Sequence, residues 1–416
     1  MEFPRVARVR VKMPSAPLTD VAGEVRKQIH RLLDGAVAGS HVAVAVGSRG
    51  INNLLTIVAA AVEELKGRGL HPFIVPAMGS HGGATAAGQA EVLASYGITE
   101  AALGVPVRSS MEVRLLGHTP EGLPVYCDAN AAGADAVLLI NRVKPHTDFH
   151  GEHESGLVKM LAIGLGKRDG AELLHSYGAG GLRDMMPRVA REMLRHLPVL
   201  GGLAIVEDAY DRTARVEGLK PAEFETVEKE LLAQARELMP ALPFSRLDVL
   251  VVQEMGKNLS GTGMDTNMIG RIRIGGQEDP PVPAISRIVA LDLTPDSHGN
   301  GLGVGLADVI TRRLYDRIDL ATTYANVITT GFLERGFIPI TMPTDREAVT
   351  VAIKTCGRRV KSEEARLAVI KNTLDIGEIL VSAGLGEEVG QSPNLEFLGP
   401  WEPLLFDGSG ALQTRL

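Results

Sequence analysis

Apolar residues in this chain fall into short runs separated by helical stripes. Residues 6–13 alternate apolar and polar side chains, the pattern of a strand buried on one face. Over 21–33, Val21, Val25, Ile29, Leu32 and Leu33 share one helical stripe. The apolar run 41–46 suits a strand covered on both faces. Residues 54–65, rich in alanine and valine, predict a helix, and 71–76 a further strand. The glycine-rich loop 78–85 leads into a helix over 86–95, and 136–140 predicts another buried strand before the long polar loop 141–154. Helices are expected over 156–163, 169–177 and 182–194, then a strand at 203–207.

This alternation predicts the α/β fold class, with helices layered on mainly parallel sheets. In such sheets, sites gather in loops beyond the carboxyl ends of the strands. The loops holding Ser80-His81 and Pro145-His146 each follow an apolar strand. A helix over 224–238 ends in MPALPFS, whose prolines break it near 239–245. The expected organisation is two α/β domains, a catalytic and cofactor-binding domain over 1–240 and a second over 246–416, with the active site in the loops between them. In the second, strands are expected over 247–252, 287–293 and 337–341, and a helix over 302–315. Neither a 20–50-residue repeat nor a heptad pattern is present.

Composition narrows the class. Of 416 residues, 45% are hydrophobic and 22% charged, an ordinary balance for a soluble protein with ample core. The net charge of −7 gives no basic field, so a nucleic-acid partner is not expected. Cys127 and Cys356 are the only cysteines, which excludes a disulfide scaffold and cysteine-built metal centres. Glycine supplies 47 residues, well above the typical ~7%. The start lacks the apolar core of a signal peptide, and no apolar run approaches the roughly 20 residues of a membrane span. A cytoplasmic enzyme without a membrane partner is expected.

Candidate chemistry centres on histidine. Six of eleven histidines (His81, His118, His146, His150, His153 and His175) fall within 95 residues. Histidine exchanges protons near neutrality and is the commonest metal ligand. The 4 and 3 spacings of His146, His150 and His153 could place metal ligands on one helix face, although Pro145, Gly151 and Gly156 favour a loop. No HExxH is present, so a histidine-metal (zinc) hydrolase stands as an alternative without its usual motif. Gly164-Leu-Gly-Lys167 is followed by Arg168 instead of Ser or Thr, and no GxGxxG opens a helix after the first strand, so neither the ATP nor the NAD signature is present. His298-Gly299 begins a glycine-rich turn where backbone amides could meet an anion.

Taken together these residues resemble the nickel-dependent lactate racemase family, the nickel-pincer 2-hydroxyacid racemases and epimerases. Gly79-Ser-His81 is similar to the family's Gly-x-His loop, and Pro145-His146 to its second histidine position. Ser155-Gly-Leu-Val-Lys159 is similar to the Ser-Gly-Gly-Arg-Lys element whose lysine carries the cofactor. His175, sixteen residues after Lys159, resembles the nickel-binding histidine. Asp296-Ser-His-Gly-Asn-Gly resembles a family turn in the second half.

The resemblance implies an isomerase that inverts C2 of a 2-hydroxy acid by proton-coupled hydride transfer. The cofactor would be a nickel-pincer nucleotide attached covalently to Lys159, with His175 as metal ligand and Ser155, Gly156, His298 and Gly299 as further cofactor contacts. His81 and His146 would serve as base and acid on the two faces of the substrate. Cofactor-biosynthesis enzymes become partners, and a homo-oligomer is compatible with the pattern. The physics agrees: hydride removal avoids a carbanion beside a carboxylate, but needs a base for the hydroxyl and an electron sink.

The chain also departs from the lactate enzymes. The loop between His146 and Lys159 is longer and more polar, and Gly47-Ser-Arg-Gly50 stands where Asp-His-Thr-Arg is usual. Arg49 is a candidate for gripping the substrate carboxylate. Lys257, Asp265 and Asn267 replace a Tyr-Gln-x-x-Lys segment as candidate substrate contacts. These changes favour a larger or more hydroxylated acid than lactate, such as a sugar acid. A non-catalytic cofactor or metal carrier of the same fold is the remaining alternative.

Overall fold

The computed structural model describes residues 2–48, 50–357, 361–414 and 416. The chain forms two compact units, Pro14–Met239 and Met1–Met13 with Pro240–Leu416. Both are α/β, each with a mixed, mainly parallel sheet.

In Pro14–Met239 the strand order is His71–Pro76, His41–Val46, Ala136–Arg142, Val199–Glu207, Thr213–Leu219. The first four are parallel, and Thr213–Leu219 returns antiparallel beside Val199–Glu207. Side-chain alternation feeds two separate cores. Ala43, Ala45, Phe73, Val75, Val137 and Leu139 face one, whereas Val42, Val44, Val46, Ile74, Leu138 and Ile140 face the other. Full burial of each large apolar side chain contributes about 1.5–3 kcal/mol, which is why continuous apolar runs become central strands.

Helix Val21–Leu32 covers the second core with Val25, Ile29 and Leu32, and Asp20 caps it by accepting the Gly23 N–H at 2.8 Å. Helix Leu54–Gly67 joins it on that face. The opposite core is covered by the helical run 157–196 and by helix Phe224–Leu238. A hairpin of Val113–His118 and Pro124–Asp128 was not foreseen from the sequence; its Cys127 is wholly buried.

The other unit contains nine strands among the described residues. Arg246–Val252, Ala284–Ala290, Val309–Thr311, Ile340–Met342 and Leu367–Ile370 are parallel. Here the expectation for 1–240 needs correction at its start. Arg5–Val11 pairs antiparallel with Glu378–Ser382 and Leu395–Phe397, so the first strand of the chain belongs to the sheet built by residues from 246 onward. Its alternating pattern announces a half-buried strand and carries no information about its partner.

The helix expected over 302–315 is also corrected. That segment is a short 3₁₀ turn Val304–Leu306, the strand Val309–Thr311 and the helix Arg312–Arg317. Gly303 has φ +92°, and a Cβ there would lie 1.7 Å from the Thr262 carbonyl oxygen, so glycine serves close backbone packing. The strand expected over 287–293 lies at Ala284–Ala290, and that over 337–341 at Ile340–Met342. No helix among the described residues is long and apolar enough to cross a membrane.

Candidate active site

The carboxyl ends of His71–Pro76, His41–Val46 and Ala136–Arg142 deliver the loops that hold the candidate histidines. After His41–Val46, Gly47 passes so close to Asn141 that a Cβ would lie 2.4 Å from its Oδ1. Asn141 Nδ2 in turn donates to the Gly156 carbonyl at 2.8 Å, tying the strand to the turn before Lys159. The next residue, Ser48, places its Oγ 2.6 Å from His81 Nδ1.

The His81 loop is anchored on the other side as well. Gly79, at φ +62°, donates its N–H to the Gly164 carbonyl at 3.1 Å. A Cβ on Gly79 would lie 3.1 Å from Ile163 Cγ2. Gln89 Nε2 donates to the Gly79 carbonyl at 2.7 Å and the His81 carbonyl at 3.2 Å. Behind Gln89 lies Lys167, which is wholly buried and reaches Gln89 Oε1 at 2.9 Å, the Pro76 carbonyl at 2.6 Å and Asp128 Oδ2 at 3.1 Å. Lys167 is therefore an internal strut, not a phosphate-binding lysine.

His146 is held by its own loop. Its N–H donates to Glu154 Oε2 at 2.7 Å, and its Nδ1 accepts the Asp148 N–H at 3.1 Å. Its ring packs 4.7 Å from that of buried Phe149. Burial pushes the Glu154 carboxyl up, but hydrogen bonds from His150, the His146 N–H and the Gly151 N–H outweigh this and hold its pKa below the ordinary value. Arg236 also donates to Glu154 at 2.6 Å.

His150 and His153 do not join His146 around a common point. His150 Nδ1 donates to Glu154 at 3.2 Å, whereas His153 Nδ1 lies 3.2 Å from Glu228, with both side chains of the latter pair buried. Among the described residues no three His, Cys, Asp or Glu side chains gather as a metal site. The helix-face alternative is thereby set aside. Pro145, Gly151 and Gly156 make this a loop, and its histidines point to separate carboxylates.

Lys159 ends the short helical turn Leu157–Lys159, whose Leu157 and Val158 N–H groups donate to Glu228 Oε2. A Cβ on Gly156 would lie 2.4 Å from that same oxygen, so glycine admits the carboxylate at the helix start. The chain continues as a π-helical segment, Met160–Leu165, and then helix Lys167–Ser176, which ends beside His175. Wider π turns recur at functional sites because they redirect side chains out of helical phase. Solvent reaches His175, yet partial desolvation and then the Lys159 ammonium lower its pKa, with Asp148 opposing. A depressed pKa keeps the imidazole neutral near pH 7, the form that ligates a metal. Half-buried Lys159 thus lies within electrostatic reach of the His175 imidazole.

Other expected site residues are distributed differently. Arg49 lies outside the described residues. Ser155 accepts the Lys144 N–H on its carbonyl at 3.4 Å. Lys257, Asp265, Asn267, His298 and Gly299 all belong to the other unit. Lys257 donates its N–H to Ser297 Oγ at 3.0 Å and its Nζ to Asn326. Asp265 accepts the Asn267 N–H at 2.9 Å, capping the turn Thr266–Ile269. His298 is exposed in the left-handed region at φ +49°, and Gly299 accepts the Asp319 N–H at 2.9 Å.

Sequence reasoning did not single out Ser48, Gln89, Asp128 or Glu228. Glu228 left a signal, since it shares its helix stripe with Phe224, Leu231, Leu232 and Ala235, all buried. A carboxylate on such a stripe needs a partner inside. Gln89 likewise sits one turn before buried Leu93.

No protein-family model matches the sequence, and no curated protein matches it. Among solved structures, the chain shares its fold with the lactate racemase apoprotein from Thermoanaerobacterium thermosaccharolyticum. The TM-score is 0.55 and the identity 14%, over 88% of this chain and 94% of that one.

Proposed function

We propose that this protein is a 2-hydroxyacid racemase or epimerase working through a nickel-pincer nucleotide carried on Lys159. The reading rests on the shared fold and above all on one observation. Lys159 and His175, sixteen residues apart, stand near the two ends of one helical run, close enough for the lysine to help lower the imidazole's pKa, a donor pair that fits such a group. Lys159 and His175 would hold the group, which when bound supplies a reversible acceptor for the C2 hydride.

The chain's own residues move the proton. His81 takes the 2-hydroxyl proton on Nε2 while Ser48 holds Nδ1. A serine hydroxyl both donates and accepts, so Ser48 serves His81 in either protonation state. His146 differs. Its Nδ1 accepts the Asp148 N–H, which puts the proton of the neutral ring on Nε2, where it would hydrogen-bond the substrate oxygen while the proton held by His81 is the one returned. Each histidine held in reach contributes ~10²–10⁴ in rate. Arg49 would pair with the substrate carboxylate.

The polar loop after His146 gives less support to a sugar acid than its composition suggested. Glu154 and His153 are turned inward and committed to Arg236, backbone N–H groups and Glu228. The zinc-hydrolase reading loses its ligand set for the same reason.

Intact-mass measurement after co-expression with cofactor-making enzymes tests the proposal. A nucleotide-sized adduct that disappears in Lys159→Ala supports it, and an unmodified chain contradicts it. An adduct with no stereochemical exchange across a panel of 2-hydroxy acids would leave the carrier reading.

A further inference from the structure

We infer that Gln89, oriented by the buried Lys167–Asp128 pair, is the positioning residue that sets where His81 stands. The inference rests on the assignment of His81 to proton transfer, and its test is built to fail separately from that assignment.

The Gln89 side chain is wholly buried and spans two groups of opposite demand. Its amide nitrogen donates to the Gly79 and His81 carbonyls, and its oxygen faces Lys167 Nζ. An ammonium offers donors only, so it accepts no amide N–H. Lys167 therefore dictates which way the amide points, and Gln89 can present only its N–H groups to the loop. Asp128 fixes the ammonium in turn, while its other oxygen accepts the Asn130 and Ala131 N–H groups at 2.8 and 3.0 Å.

The arrangement is costly to keep unless it holds something. Lys167 adopts φ +54°, a region that side-chain-bearing residues rarely occupy. Lys167 is also the first residue of the helix Lys167–Ser176. Its ammonium is drawn under the His71–Pro76 strand end, where it also donates to the Pro76 carbonyl. The polar chain thus runs from the hairpin end at Asp128 to the backbone of the loop that carries His81. Glycines 79, 82 and 83 all lie at positive φ, a backbone path open to glycine, and the Gln89 bonds tie that path to the core. Ser48 fixes the ring; Gln89 fixes the backbone beneath it.

Gln89→Glu and Gln89→Met separate positioning from bulk stability. The glutamate variant keeps length and gives Lys167 a second carboxylate, but when ionised it cannot donate to either carbonyl. We expect Gln89→Glu to retain the wild-type melting temperature within a few degrees and full cofactor loading. Amide hydrogen exchange over 78–84 should accelerate at least tenfold. Turnover of the loaded enzyme should fall by about 10², the scale of a small misplacement, with KM changed less than twofold. Turnover of Gln89→Glu should recover partly as pH is lowered, because the introduced carboxyl regains one donor once protonated. Gln89→Met should show the same loss without that recovery.

Unchanged exchange over 78–84 in both variants would overturn the positioning role even if wild-type turnover were never found. Faster exchange with undiminished turnover would overturn it too. If wild type lacked turnover while exchange accelerated as expected, the function assigned to His81 would fall and the positioning role would stand.

Discussion

Ser48 Oγ stands 2.6 Å from His81 Nδ1, joining the ends of two neighbouring parallel strands through one hydrogen bond. The contact restrains the His81 imidazole at Nδ1. Ser48→Ala removes it without altering the backbone. Turnover should drop roughly tenfold, the worth of one neutral hydrogen bond of about 1–1.5 kcal/mol, with little change in KM. Steady-state kinetics on the loaded enzyme checks this; a raised KM with intact kcat would place Ser48 on the substrate instead.

Glu228 and His153 form a buried pair that also caps the turn bearing Lys159. Glu228→Ala strands the Leu157 and Val158 N–H groups together with His153. Breaking such a buried pair costs about 3–5 kcal/mol. Chemical denaturation should show that loss, and Glu228→Gln a smaller one because it keeps an acceptor. Wild-type stability in Glu228→Ala would show the cap to be dispensable.

Glu154 gives the loop of His146 an acid limit. Its pKa is lower in the folded protein than the ordinary value of 4.5, so the unfolded chain binds the proton more readily. Its stabilisation is therefore complete above pH 4.5 and is lost as pH falls through the lower folded value. Melting curves should decline over that window in wild type more steeply than in Glu154→Gln. Equal slopes would exclude Glu154 as the acid-labile group.

The metal assignment separates the histidines. After co-expression with cofactor-making enzymes, His175→Ala should lose nickel, whereas His81→Ala and His146→Ala should retain it and lose turnover. Elemental analysis of the purified variants checks the set, and loss of metal from all three would contradict the division of roles.

Much of the framework was legible because burial writes itself locally. The runs 41–46, 71–76 and 136–140 read as strands and are strands, and the loops after them could be placed at one end of the sheet. The bonds that shape those loops were not legible. Gln89 and Lys167 are separated by 78 residues and His153 and Glu228 by 75, and no local periodicity encodes such pairings. The sequence already set Gly-Leu-Gly-Lys aside as a phosphate loop, but the inward turn of the Lys167 ammonium toward Asp128 is visible only in the fold. The histidines of 146–153 looked like one cluster in sequence and became separate anchors once Glu154 and Glu228 were in place.

In the proposed reaction a 2-hydroxy acid is inverted at C2 with its own hydrogen kept and only the hydroxyl proton exchanged through histidine. Proton NMR of a single enantiomer incubated in deuterated water with the cofactor-loaded protein tests it most directly. Inverted product carrying ordinary hydrogen at C2 is the predicted result. Inverted product labelled with solvent deuterium at that carbon would rule out hydride transfer.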